Sequence, residues 1–183
     1  GGSIAKDTFL KNNHDADVFV RFDYKKYYSK DISEILAEAV ASMETERIHG
    51  SRDYFKVQHK GIIFEIVPVL KVDKAEKAVN VTDMSPLHVS WVKRKVKNKP
   101  QLKDEVRLAK QFCKANRVYG AESYIGGFSG HVLDILIIYY GSFKNFLKAS
   151  LEWKEKQVID PEKHGKKLNI SKITPLIVID PID

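Results

Sequence analysis

The chain has 183 residues, 43% of them hydrophobic and 30% charged, with a formal net charge of +7. That length and apolar content exclude a disordered chain and suffice for one domain or two small ones. The longest apolar run, Ile135 to Tyr140, is far short of the roughly 20 residues of a membrane span.

The single cysteine, Cys113, excludes an internal disulfide and fits a reducing compartment such as the cytoplasm. Residues 1–92 hold 13 Lys+Arg and 14 Asp+Glu, whereas residues 93–183 hold 18 and 10. The whole positive excess therefore lies in the second half, which predicts two jobs, one done with carboxylates and one with cations facing a polyanion. The chain opens on Gly1-Gly2-Ser3 without Met, signal or transit segment and stops on Asp180-Pro181-Ile182-Asp183. Both ends read as cut, so a piece of a longer protein is expected.

In chain order, Gly1 to Thr8 reads as a tight turn entering a short helix. Asp15 to Phe22 is a strand: Ala16, Val18, Val20 and Phe22 share one face, with Asp15, Asp17, Phe19 and Arg21 on the other. Asp31 to Glu44 carries Ile32, Ile35, Leu36, Ala39, Val40 and Met43 at helical spacing, with Ser29 or Asp31 as the cap. Tyr54–Val57 and Ile62–Val72 form an antiparallel hairpin about His59-Lys60-Gly61. Pro68 puts the end of the second strand at a sheet edge or bulge.

Ser85-Pro86 starts a helix running to Val96, and Asn98 to Gln101 breaks it. Further helices are expected over Leu102–Asn116, over the very apolar Ser129–Tyr140 stopped by Gly141, and over Ser142–Glu155. Glu162 to Asn169 is a basic loop and Leu176–Ile179 a buried-type strand. Trp91, Phe112 and Trp153 are expected in the core.

Three features carry chemistry. Gly2-Ser3 at a turn before a helix lets the backbone approach a phosphate, although most Gly-Ser pairs are ordinary turns. Asp15-Ala16-Asp17 on a strand points two carboxylates to one side, an arrangement that suits a divalent cation and equally fits two exposed acids at a strand start. Glu65 interrupts the apolar run Ile62 to Val69, where a charge is expensive unless paired, metal-bound or facing solvent. If the Glu65 strand lies beside the Asp15 strand, the three acids converge.

Taken in order, these residues resemble the nucleotidyltransferase signature of the DNA polymerase β superfamily: a Gly-Ser turn, an acid-x-acid strand, and a third acid on a later strand. Within that superfamily the chain resembles the archaeal-type (class I) CCA-adding enzymes, which are tRNA nucleotidyltransferases. The stretches that carry the resemblance are Glu65-Ile66-Val67-Pro68, Thr82-Asp83-Met84-Ser85-Pro86-Leu87-His88 and Asp104-Glu105-Val106-Arg107. They continue with Lys114 to Glu122, Gly127-Phe128-Ser129-Gly130, Tyr140-Gly141-Ser142-Phe143 and Val158-Ile159-Asp160.

The resemblance implies an α+β fold: a polymerase β-like palm over residues 1–95, a mixed sheet with helices, then a mainly helical nucleotide- and tRNA-binding domain over 96–183. It implies Mg²⁺ held by Asp15, Asp17 and Glu65, the last standing where the family more often has Asp. Gly2, Ser3, Lys6, His88, Lys110 and Tyr119 would contact the nucleotide. Lys6 stands in place of a usual Arg, Gly126 in place of a basic residue, and His131 in place of a Tyr.

By spacing alone, Lys110 fits a solvated helix face, His88 a local hydrogen bonder and Tyr119 a packing residue. The basic runs Lys93-Arg94-Lys95-Val96-Lys97-Asn98-Lys99 and Lys163, Lys166, Lys167 fit phosphate contacts or plain surface. The activity implied is transfer of CMP or AMP from CTP or ATP to a tRNA 3′ end, with release of pyrophosphate. Alternatives are an oligoadenylate synthetase-like or poly(A) polymerase-like transferase, or a non-catalytic RNA-binding fragment.

Overall fold

In the computed structural model, which describes residues 1–11, 15–165 and 176–182, the alternating run Asp15–Asp23 is strand β1. It follows a five-residue helix, α1, over Gly2–Lys6. A single turn α2, Tyr24–Tyr27, is capped by the Asp23 carboxylate, and α3 spans Ile32–Val40. Asp31 caps α3, accepting from the amides of Ser33 and Glu34. The helix stops short of the expected Glu44. Ala41, Ser42 and Met43 are exposed, so the buried stripe that sustains a helix ends at Val40.

Strands β2 (Glu46–Ile48), β3 (Tyr54–His59) and β4 (Ile62–Lys71) follow. Lys60 and Gly61 have φ of 49° and 79°, the positive pair that a two-residue hairpin turn needs. This turn sets the register His59↔Ile62 through Lys56↔Glu65 to Phe55↔Ile66. The sheet order is β1-β4-β3-β2, with β1 parallel to β4 and the other pairs antiparallel. Pro68 lies beyond Ile66, the last residue that β3 pairs with, so its missing N–H removes no β3–β4 bond. β2 was not expected; three residues with two charges carry no periodicity.

One face of the sheet packs on α3. Leu36, Val40 and Phe55 form a buried cluster with Val20, Phe22 and Ile66. Ile32, Leu70 and Val72 form a second, with Tyr24, Tyr27 and Leu87. Each such side chain contributes about 1.5–3 kcal/mol on burial. The other face is left to Asp15, Asp17 and the residues in register with them.

The chain divides into two compact units, Gly1–Ser90 with Ile182, and Trp91–Pro181. Helix α4, Ser85–Val96, contains the division. The second unit holds α5 (Leu102–Ala115), α6 (Gly130–Tyr140) and α7 (Phe143–Ser150). A small parallel pair, β5 (Gln157–Ile159) with β6 (Leu176–Val178), completes it.

α5 buries Leu102, Val106, Ala109, Lys110 and Cys113 along one stripe. Burial pushes the Cys113 thiol above its usual range. α6 is apolar almost all round and is stopped by Gly141 at φ 80°. The Glu105 carboxylate accepts the first amide of α7, from Phe143 at 2.7 Å, and Ser142 caps Asn145. α7 ends at Ser150 rather than Glu155, because Leu151, Glu152, Lys154 and Glu155 are exposed. Trp153 is half-buried and donates to the Tyr140 hydroxyl at 3.1 Å. Trp91 is buried as expected, whereas Phe112 is 42% exposed on the outer side of α5 against Phe143. Among the described residues no helix is long and apolar enough to cross a membrane.

Candidate functional site

The first unit gathers acids on one sheet face. Asp15 and Asp17 sit two residues apart on β1, so their side chains leave the same side. The parallel register pairs Asp17 with Glu65 and Asp15 with Ile63. Paired positions on neighbouring strands share a face about 5 Å apart. Asp17 and Glu65 are therefore direct neighbours and Asp15 is diagonal to Glu65. Glu65 is on an interior strand, not on an edge.

Three oxygen-donor groups on one face of neighbouring strands match in kind the donor set of a hard divalent cation. β3 adds a counter-charge. Lys56, in register with Glu65, places Nζ 3.4 Å from its carboxylate, with both side chains about one-third exposed or less. Glu46 follows in register on β2, so a row Asp17, Glu65, Lys56, Glu46 crosses the sheet. The Tyr54 phenol and Glu65 together hold the Lys56 ammonium above its usual range. Burial, with Glu65, pushes the Tyr54 phenol up.

α1 is set against these acids. Gly2 has φ 48°, and a Cβ at this position would overlap the Asp17 Oδ2. The Gly1 nitrogen donates to the Asp17 carbonyl at 2.6 Å. The glycine is thus required twice, for its left-handed backbone and for its close approach to a carboxylate. Ser3 is half-buried, and Lys6 is only 8% exposed, a cation in the packed part of the turn rather than on the surface. His88 is half-buried in α4. Gly2→Ala is expected to displace the Asp17 carboxylate and weaken Mn²⁺ binding by about tenfold or more, as losing a ligand's support does. Titration of the variant with Mn²⁺ checks this; wild-type affinity would show that the contact does not matter.

Lys110 and Tyr119 come together within the second unit. Lys110 is 4% exposed, so the solvated-face reading that its spacing allowed is wrong. Its Nζ is 3.3 Å from Asp134 Oδ1 of α6. A Cβ on Gly130 would lie 2.8 Å from the Tyr119 hydroxyl and 3.8 Å from Lys110 Cε, so both side chains reach the opening of α6. His131, one residue on, stands 3.8 Å from Asp134 and edge-on to Trp91. Gly126 has φ 60°.

Of the basic run, Lys93, Arg94, Lys97 and Lys99 are exposed. Lys95 is taken up by Glu162 at 2.6 Å, which also accepts from the Trp91 indole. Although burial opposes it, these two contacts hold the Glu162 carboxyl below its usual range. Lys163 is exposed, and Lys166 and Lys167 lie outside the described residues.

Sequence reasoning missed Lys56 and Asp134. Both left signals. Counting back from the Lys60-Gly61 turn puts Lys56 opposite Glu65, and Asp134 is the only charge in an otherwise apolar helix.

Residues 104–183 match the family model described as tRNA nucleotidyltransferase, second domain. The whole chain is 42% identical to the CCA-adding enzyme of Nanoarchaeum equitans, of which it covers 48%. It is 37% identical to the CCA-adding enzyme of Methanosarcina barkeri, of which it covers 40%. Among solved structures, a chain of the E. coli MS115-1 CdnC:HORMA-deltaN complex superposes on all of this chain and 65% of its own length, with a TM-score of 0.64 at 19% identity. That likeness concerns the fold, which is α+β with a mixed sheet and of the polymerase β-like kind expected from the resemblance. Over its whole length the chain is similar in sequence to archaeal CCA-adding enzymes, of whose own length it spans about half.

Proposed function

We propose that this chain forms the catalytic head and adjoining helical region of a metal-dependent nucleotidyltransferase that adds CMP and AMP from CTP and ATP to the 3′ end of tRNA. The observation that carries the reading is the Asp17↔Glu65 register, with Asp15 diagonal to it. Those three carboxylates are the residues we assign to Mg²⁺, which when bound would lower the pKa of the attacking hydroxyl and neutralise the leaving pyrophosphate.

The chain's own groups do the positioning. The Gly2-Ser3 turn, resting against Asp17, offers backbone and hydroxyl donors to a triphosphate. Lys6 supplies a cation in the same turn, although as a point charge without the fork of an arginine. Lys110 and Tyr119, with His88 from α4, are assigned to the triphosphate and sugar. The exposed cations Lys93, Arg94, Lys97 and Lys99 suit the phosphates of an acceptor stem, which is recognised mainly by shape and backbone. The same reading places the protein in the cytoplasm.

The test is incubation with labelled CTP and ATP, with Mg²⁺, and with or without tRNA lacking its 3′ CCA. Mg²⁺-dependent binding of both nucleotides is expected, with label entering tRNA only. Since the chain spans about half the length of its relatives, incorporation is expected to be weak beside nucleotide binding. AMP polymerised from ATP without tRNA would favour an oligoadenylate or poly(A) transferase instead. Absence of nucleotide binding would leave an RNA-binding fragment.

A further inference from the structure

Glu65 stands between unlike neighbours. Its strand, β4, lies between β1 and β3. Asp17 is in register with it on β1, and Lys56 is in register with it on β3. Residues paired in register share a face of the sheet. The glutamate therefore has an acid on one side and a cation on the other, on flanking strands about 10 Å apart. Lys56 Nζ is 3.4 Å from Glu65 Oε1. The same ammonium is 5.9 Å from the centre of the Tyr54 ring, two residues back on β3. Glu46 is in register with Lys56 on its far side, on β2.

The two side chains of the pair are 34% and 27% exposed, and a pair so open to water adds little to stability. Its direction matters more. Asp17 repels the Glu65 carboxylate and Lys56 attracts it, so both forces lean it toward β3 and away from the acids of β1. A divalent ion held by Asp15 and Asp17 needs the same carboxylate on the opposite side. A glutamate side chain has enough rotatable bonds to take either position in an ordinary rotamer.

We propose that Lys56 is a positioning residue of the metal site, which holds the Glu65 carboxylate on the β3 side until a divalent ion draws it across to Asp15 and Asp17. The proposal rests on the assignment of the three acids to metal made above. Ion and ammonium compete for one carboxylate, and no bond or proton changes hands. The metal-free sheet is spared the crowding of its acids, and the released ammonium keeps Glu46 as an acidic neighbour.

The test titrates Mn²⁺ into the 183-residue chain and into Lys56→Met, Lys56→Arg, Glu65→Gln and the Lys56→Met, Glu65→Gln double variant, following the paramagnetic signal of the free ion. Metal-free thermal melting is recorded for each. Lys56→Met is expected to bind Mn²⁺ about two- to fivefold more tightly than the wild type, the scale of one exposed ion pair, and to melt close to it. Lys56→Arg keeps the pair and should stay near the wild type. In Glu65→Gln there is no carboxylate to hold, so removing Lys56 should change the affinity little.

A lysine that merely supported the ligand would give the opposite sign, because its loss would weaken the site. Unchanged or weaker Mn²⁺ binding by Lys56→Met in a normally melting chain therefore overturns the proposal. So does an equal tightening in the Glu65→Gln background, which would assign the effect to the general field of the lysine. If Lys56→Met melts well below the wild type, Lys56→Gln is read in its place. A wild type that binds no Mn²⁺ would overturn the assignment of the three acids itself, and this proposal with it.

Discussion

Asp17→Ala is expected to lose divalent-ion binding, and the proposed nucleotide transfer to fall by about 10³-fold, equivalent to about 4 kcal/mol of transition-state stabilisation. Asp17 is in register with Glu65 across a parallel pair, and its carboxylate lies against Gly2 of the preceding turn. The fold should survive. Asp17 projects from the face opposite the α3 core, and its backbone carbonyl still accepts from Gly1. Relief of like-charge crowding between Asp17 and Glu65 should leave the metal-free melting temperature unchanged or slightly raised. Mn²⁺ should then stabilise the wild type and not the variant. Asp17→Asn keeps the shape that Gly2 rests against, so equal losses in both variants would assign the effect to charge. Transfer above a few per cent of wild type in either would remove Asp17 from the metal site.

That face of the sheet was largely legible in the sequence, because strand periodicity alone puts Asp15 and Asp17 together. The hairpin register was legible too, once Lys60-Gly61 is read as the turn. What periodicity cannot supply is the parallel pairing of β1 with β4, since α3, β2 and β3 intervene and the pairing is fixed by long-range packing on Leu36 and Phe55. Burial of charged side chains was the weakest point. Lys110 reads as solvent-facing by spacing yet is buried, and Phe112 reads as core and is exposed. For Lys110 the partner, not the residue, decides, and that partner comes from a distant stretch of chain. Asp134 lies twenty-four positions after Lys110 in the numbering, across the α5–α6 connection.

Asp83 follows the same logic with larger consequences for stability. It is completely buried, and it accepts from the backbone amides of Leu70 at 2.7 Å, Val79 at 3.1 Å and Asn80 at 3.0 Å. The Arg52 guanidinium engages both carboxylate oxygens, and also bonds the Pro68 carbonyl and the Thr82 hydroxyl at 3.2 Å each. One carboxylate thus ties the end of β4 to the segment before α4, and supplies the partner for a guanidinium whose side chain is 10% exposed.

Asp83→Ala leaves three amides without their acceptor and a buried guanidinium without its counter-charge, and is expected to destabilise the chain by about 3–5 kcal/mol. Against the 5–15 kcal/mol that holds a typical domain, that is a large share. Arg52→Met should cost less, because the carboxylate keeps its three backbone donors. Urea unfolding of the two single variants and the double variant gives the coupling between them. A double variant as unstable as Asp83→Ala alone would mean that the exposed amides, rather than the orphaned guanidinium, carry the loss. An Asp83→Ala chain within about 1 kcal/mol of wild type, the scale of an ordinary surface change, would show that water enters and replaces the whole network. β4 carries Glu65, so the loosened strand should also bind Mn²⁺ less tightly. That links the buried acid to the exposed ones through backbone alone.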